Sequence, residues 1–162
     1  MQKNWSNTAL VAYSALPKIV KELDLTLKRL VNSSFKSVHL KSGISTMQLI
    51  SEIMEINEEK RKIVNLHFIV YTALDGMSEE ARRLVVGKIL QKRTFNDLSK
   101  ELGLSLRTVF RRFEKAQEEY AGLLTRAGYT ESWLEQEYGN DKYLKPIRIR
   151  LLEDKYFVSH NQ

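Results

Sequence analysis

Apolar residues recur at intervals of three and four along most of the chain, the spacing of one helix face, and only two prolines and seven glycines interrupt the pattern. An all-α fold is expected. A first helix is predicted near residues 5–16. A second starts at Pro17, a favoured first helical position, and runs to about Val31, with Ile19, Val20, Leu23, Leu27 and Leu30 along one side. Residues 32–45, NSSFKSVHLKSGIS, lose the periodicity and read as a loop. Ser45 followed by Gln48 has the form of a capping box, after which Leu49, Ile53, Ile56, Ile63, Val70 and Leu74 fall at helical intervals until Asp75-Gly76. One continuous helix here would be about 30 residues and roughly 45 Å long. The charged block at 58–62 leaves a kink, or two shorter helices, as alternatives.

From Ser78 the predicted helices shorten, to Ser78–Leu90, Phe95–Leu102 and Ser105 to about Thr125. A tail follows with Thr130–Tyr138 and Lys142–Phe157, in which Trp133, Leu134, Tyr138, Tyr143 and Leu144 are the expected packing anchors. The stretch IRIRLLED at 147–154 alternates and leaves a strand open. The chain thus divides into a helical N-terminal part (1–77), a central module (78–127) and a C-terminal helical extension (128–162).

The central module carries the chemistry. Residues 94–116 read TFNDLSKELGLSLRTVFRRFEKA. A helix-turn-helix requires two short helices joined by a tight turn, with small or apolar residues where they cross. Thr94 can cap the first helix with Asp97 as its capping-box partner. Leu98 and Leu102 form its buried stripe, and Ser99 is small at the crossing point. Gly103 supplies the positive φ that ends a helix, Leu104 fills the turn, and Ser105 is a good N-cap for the next helix. Val109, Phe113 and Ala116 continue the inward side. Leu106, Arg107, Thr108, Arg111 and Arg112 are left pointing outward from the first two turns, where a recognition helix presents groups to the major groove of double-stranded DNA.

Charge agrees with that reading. Between Arg82 and Lys115 lie ten basic residues against three acidic ones, a surplus of +7, whereas the whole chain carries +6. Such a concentration is the footprint of a surface that meets phosphates, although a solvated helical face can produce the same excess. Arg107 and Arg111, one turn apart, are suited to reading guanine edges. Arg82, Arg83, Lys100, Ser105, Arg112 and Lys115 are suited to holding phosphates.

The same residues resemble region 4 of bacterial sigma factors, from the Thr94 cap through Gly103, Leu104 and Ser105 to Val109. The run from Ser105 to Arg111 is similar to sigma-like regulators of Gram-positive phages and mobile elements, of the ArpU and RinA type. The resemblance covers about Ser78 to Leu124. It implies DNA binding in transcription regulation and places the base-contacting positions on Leu106, Arg107, Phe110 and Arg111. Region 4 usually carries polar groups at all four; here Leu106 and Phe110 are apolar. Arg112 also stands where the family has a core residue, so either Phe110 or Arg112 can be the inward residue, and Phe110 reads more readily as core than as a contact to a thymine methyl. Nothing in 1–77 resembles the promoter-melting region of sigma factors. These helices are expected to supply homodimerisation, or contact with a partner such as RNA polymerase.

Other chemistry is sparse. The chain has no cysteine, which removes disulfides, thiol nucleophiles and thiolate metal sites, and fits a cytoplasmic setting. Its three histidines are far apart, with His67 inside an apolar run. Glu52, Glu55, Glu58 and Glu59 lack an accompanying histidine and read as a solvated face. No phosphate loop or nucleophile elbow occurs. Neither an enzyme nor a cofactor is expected. The apolar stretch 9–16 is a poor signal peptide, and the longest apolar run, 63–74, falls short of the roughly 20 residues a membrane helix needs, so no membrane contact is expected. Two further readings stand beside the DNA-binding regulator: an adaptor that uses the same fold to bind polymerase or another protein, and a mobile-element accessory that binds DNA with little sequence preference.

Overall fold

The computed structural model describes residues 4–37 and 45–159 and, among these, is all-α with no strand. In chain order the helices are α1 (Asn4–Ala12), α2 (Leu16–Ser37), α3 (Thr46–Asp75), α4 (Glu79–Val85), α5 (Phe95–Leu102), α6 (Leu106–Arg126), α7 (Glu131–Tyr138) and α8 (Leu144–Ser159). A π-helical turn, Val86–Leu90, continues α4.

Local sequence accounts for most boundaries. Ser45 and Gln48 do form a reciprocal capping box, with the Ser45 amide donating to Gln48 Oε1 at 3.0 Å and the Gln48 amide to Ser45 Oγ at 3.2 Å. The helix that follows is a single one of 30 residues. Its charged block does not break it, because Glu, Lys and Arg are good helix formers and Arg61 closes a bidentate ion pair onto Glu58 one turn back. That ion pair holds the Glu58 carboxyl below its ordinary range.

Two expectations are corrected, and one open alternative is closed. The first helix stops at Ala12 rather than continuing to residue 16. Helix α2 continues through Asn32–Ser37, which the loss of apolar periodicity had assigned to a loop; Ser33 and Ser34 donate to the carbonyls of Leu30 and Val31, so polar side chains bond back along the helix instead of ending it. The rest of that expected loop, residues 38–44, lies outside the described residues, as does His160. The alternating IRIRLLED segment is helical, inside α8.

The chain folds as two compact units, Met1–Ser14 with Ile69–Gln162, and Ala15–Phe68. This division differs from boundaries at 77/78 and 127/128: α1 packs on α7 and α8, so the N-terminal helix joins the C-terminal tail in one unit. In that unit α4 packs along α6, and α5 against α6. Its core includes Leu10, Ile69, Val70, Leu84, Val85, Leu98, Val109, Ala116, Tyr120, Leu124, Leu134, Tyr138 and Leu144. Of the five anchors expected in the tail, Leu134, Tyr138 and Leu144 are buried, while Trp133 and Tyr143 are half-buried. The second unit comprises α2 and α3 as far as Phe68, with Leu16, Ile19, Leu23, Ile63 and Leu66 buried.

Sequence does not announce the way α1 is held. The Glu131 carboxylate, in the first turn of α7, accepts from the Trp5 amide (2.7 Å), the Ser6 amide (3.1 Å) and the Ser6 hydroxyl (2.8 Å). It therefore caps the start of a helix more than 120 residues away in sequence. Beside it, Glu135 accepts from the Trp5 indole at 2.6 Å and pairs with Arg148 of α8 at 2.5 Å, and the Arg148 guanidinium lies 4.6 Å from the Trp5 ring centroid. The indole bond, then Arg148, hold the Glu135 carboxyl below its ordinary range.

Candidate nucleic-acid interface

Thr94, Gly103 and Ser105 place the two helices of the central module. Thr94 caps α5 in a full capping box: the Asp97 amide donates to Thr94 Oγ1 at 3.1 Å, and Asp97 accepts from the Thr94 amide (3.1 Å) and hydroxyl (2.6 Å). These bonds hold the Asp97 carboxyl below its ordinary range. At the other end Gly103 takes φ 62°, in the left-handed region, with nothing within 4 Å of where a Cβ would sit. Glycine is needed there for backbone conformation, not for space. The Leu104 amide reaches back to the Ser99 carbonyl at 3.1 Å, and the Ser99 hydroxyl donates to the Leu104 carbonyl at 2.5 Å, so the small residue at the crossing also ties down the turn. Ser105 then caps α6, accepting from the Thr108 amide at 3.2 Å.

Behind this pair, Ser78 starts α4 without using its hydroxyl as a cap. Its amide (2.6 Å) and hydroxyl (3.0 Å) both donate to Glu119 of α6. The π turn brings buried Gly87 against Leu98 of α5; a Cβ there would stand 2.8 Å from Leu98 Cδ2, so any larger residue must displace that methyl.

Helix α6 buries Val109, Ala116, Tyr120 and Leu124, and half-buries Phe113. Its first two turns therefore present Leu106, Arg107, Phe110 and Arg111 to solvent, with Thr108 half-buried and bonded to Ser105. Phe110 is not a core residue: it is 44% exposed, and its ring lies 4.2 Å from that of Phe95. Phe95 also meets Phe113 at 5.2 Å and carries the Lys88 ammonium 4.4 Å above its ring. This aromatic cluster escaped sequence reasoning, which treated Phe95 only as the start of a helix. The signal was there in the 3-residue spacing of Phe110 and Phe113.

The basic residues sort into two classes. Arg112 pairs with Glu80, Arg93 with Glu101, and Arg82 with Asp75 at 3.6 Å; Lys88 donates to the Arg93 carbonyl at 3.3 Å. Arg112, expected to hold phosphate, is thus half-buried and engaged with Glu80 of α4, and Arg82, expected likewise, is half-buried and engaged with Asp75. Arg83, Lys92, Lys100, Arg107, Arg111 and Lys115 form no ion pair among the described residues, and all six are exposed. Four of these lie on α5 and α6: Lys100, Arg107, Arg111 and Lys115.

No group of side chains among the described residues is arranged to hold a metal ion, and Glu52, Glu55 and Glu58 are exposed along α3. No helix is long and apolar enough to cross a membrane among those residues. Comparison with protein-family models, with curated proteins and with solved structures finds no match.

Proposed function

We propose that this chain binds duplex DNA and acts as a transcription regulator, with the first two turns of α6 entering the major groove. The observation that carries the reading is the pair Arg107 and Arg111, one turn apart at the exposed start of a helix fixed by a left-handed glycine turn, neither with an acidic partner among the described residues. Charged groups that stabilise a fold are usually paired, and arginines left unpaired at a recognition-helix position are suited to guanine O6 and N7. Lys100, Lys115 and Arg83 supply phosphate contacts in this reading, and Leu106 and Phe110 supply apolar contacts to thymine methyls. The residue pattern shared with sigma region 4 supports it.

A second reading has its own observation. Leu106 and Phe110 are 42% and 44% exposed on the same face, and two large apolar groups beside cations also suit a protein partner such as polymerase. Selection from randomised duplexes across a salt series separates the two. A defined motif enriched by the wild type and lost in the Arg107→Ala, Arg111→Ala variant is expected. Salt-steep binding without enrichment would mark a DNA-binding accessory, and absence of binding would favour the protein partner.

A further inference from the structure

Helix α3 carries two apolar stripes. One, including Ile63, Leu66, Ile69 and Val70, is buried. The other was not apparent from the inward pattern and consists of Met47, Ile50, Met54, Asn57, Arg61, Val64 and Phe68, all exposed, with the same spacing running on to Tyr71. The intervals alternate three and four without a slip for more than three heptads, which places these residues at the a and d positions of a coiled-coil seam. A straight helix drifts away from a strict seven-residue repeat, so the spacing is useful only to a helix that supercoils with another. The apolar members are far from covered: Met47 is 75%, Met54 66% and Phe68 61% exposed. Of the twelve large hydrophobic residues exposed among the described residues, six lie on this one stripe, a concentration that marks an interface.

The geometry points to a second copy of this chain as the occupant, lying antiparallel along α3. Read from either end, the stripe has the same polarity: apolar residues flank a central Asn57 and Arg61. Such a palindrome is self-complementary under a two-fold axis, the symmetry of an isologous interface. Reversed pairing sets Ile50 against Phe68, Met54 against Val64 and Asn57 against Arg61 of the other copy, each a and d position meeting its opposite. Arg61 is already neutralised by Glu58, with bonds of 2.9 and 2.6 Å, so the central layer holds two balanced ion pairs, and the Asn57 amide oxygen is available to the opposing guanidinium. Parallel pairing in register would instead stack Arg61 on Arg61 and Asn57 on Asn57, so that no guanidinium meets an amide oxygen across the seam. A single polar layer in an apolar seam fixes register and orientation. This inference does not rest on the DNA-binding reading, although a dimer would carry two copies of α6.

Sedimentation equilibrium of the full chain, from low to high micromolar, is expected to return a dimer. Phe68→Glu and Met54→Glu, both at exposed positions, should each weaken association by at least about 100-fold with helicity unchanged by circular dichroism, while Glu52→Lys, exposed but off the seam, should leave it intact. Because the chain has no cysteine, orientation is read directly. Met54→Cys and Val64→Cys chains oxidised together should form a mixed disulfide. Met54→Cys alone should not link to itself, since in the reversed pairing the two copies of residue 54 lie about 15 Å apart along the axis, beyond the reach of a disulfide. A monomer at every concentration, a trimer or larger assembly, or a dimer indifferent to Phe68→Glu would overturn the proposal. Ready self-linkage of Met54→Cys would overturn the antiparallel arrangement.

Discussion

Within the first unit, the α1–α7–α8 corner and the α5–α6 pair use charge in opposite ways. In the corner, Glu131, Glu135 and Arg148 are bonded to Trp5, Ser6 and one another, and their charges are consumed in holding α1. On α5 and α6, Lys100, Arg107, Arg111 and Lys115 have no acidic partner among the described residues. Surface ion pairs contribute little on average, yet a carboxylate that satisfies several otherwise orphaned helix N–H groups contributes much more. Charged residues in the corner are there for the fold; Lys100, Arg107, Arg111 and Lys115 are available for something else.

The contrast breaks most readily at Glu131. Glu131→Ala removes the acceptor of three donors at the start of α1 and should cost about 2–3 kcal/mol in urea unfolding, because two backbone N–H groups in a largely buried corner lose their partner. A cost below about 0.5 kcal/mol would mean that the corner's bonding is incidental, and the distinction between the regions would fail.

Gly103→Val comes next. Open space surrounds the glycine's missing Cβ, so the whole penalty is that of a β-branched residue at φ 62°, about 1–2 kcal/mol. Gly103→Asn should recover much of it, since asparagine tolerates the left-handed region. Equal melting temperatures for the valine and asparagine variants would show that the turn can adopt another conformation.

Tyr120→Phe is expected to act in the opposite direction. The Tyr120 hydroxyl is buried in the α6 core with no hydrogen-bond partner among the described residues, and burial, with the Glu131 carboxylate nearby, pushes its pKa well up. Removing an unsatisfied buried hydroxyl while keeping the ring should raise stability by about 1 kcal/mol, read as a shifted denaturation midpoint. A loss of that size would mean the hydroxyl is satisfied through water.

These residues also mark what the sequence reveals. Thr94, Gly103 and Ser105 were legible because capping and turn geometry are written in residues three or four apart, and α5 has the bounds its pattern predicts. The apolar stripe of α6 was legible for the same reason, apart from Phe110, whose exposure depends on which ring of α5 it meets. Glu131 and Glu119 were not legible. Each satisfies donors contributed by a distant segment, and no local spacing encodes that pairing. The same limit applies to the cations: their number was countable, but Arg112 and Arg82 could be separated from Arg107 and Arg111 only after Glu80 and Asp75 had been located. The α2 extension shows a third limit, since loss of apolar periodicity marks loss of a buried face and need not mark the end of a helix.

The smallest stability change is expected at the residues proposed to matter most for binding. Arg107→Ala with Arg111→Ala removes two exposed side chains without ion pairs from the outer face of α6, and alanine is the better helix former, so unfolding free energy should stay within about 0.5 kcal/mol of wild type. If α6 reads DNA, the same double variant loses discrimination at about 1–3 kcal/mol per lost bidentate base contact, a change visible in duplex binding and absent from denaturation. The inverse pattern distinguishes Arg148→Ala, which should lower stability through Glu135 and Trp5 and leave duplex affinity alone. Measuring both quantities on both variants assigns each set of charges to folding or to recognition. A double variant that unfolds more easily and binds unchanged would move Arg107 and Arg111 into the structural class and remove the observation that carries the DNA-binding proposal.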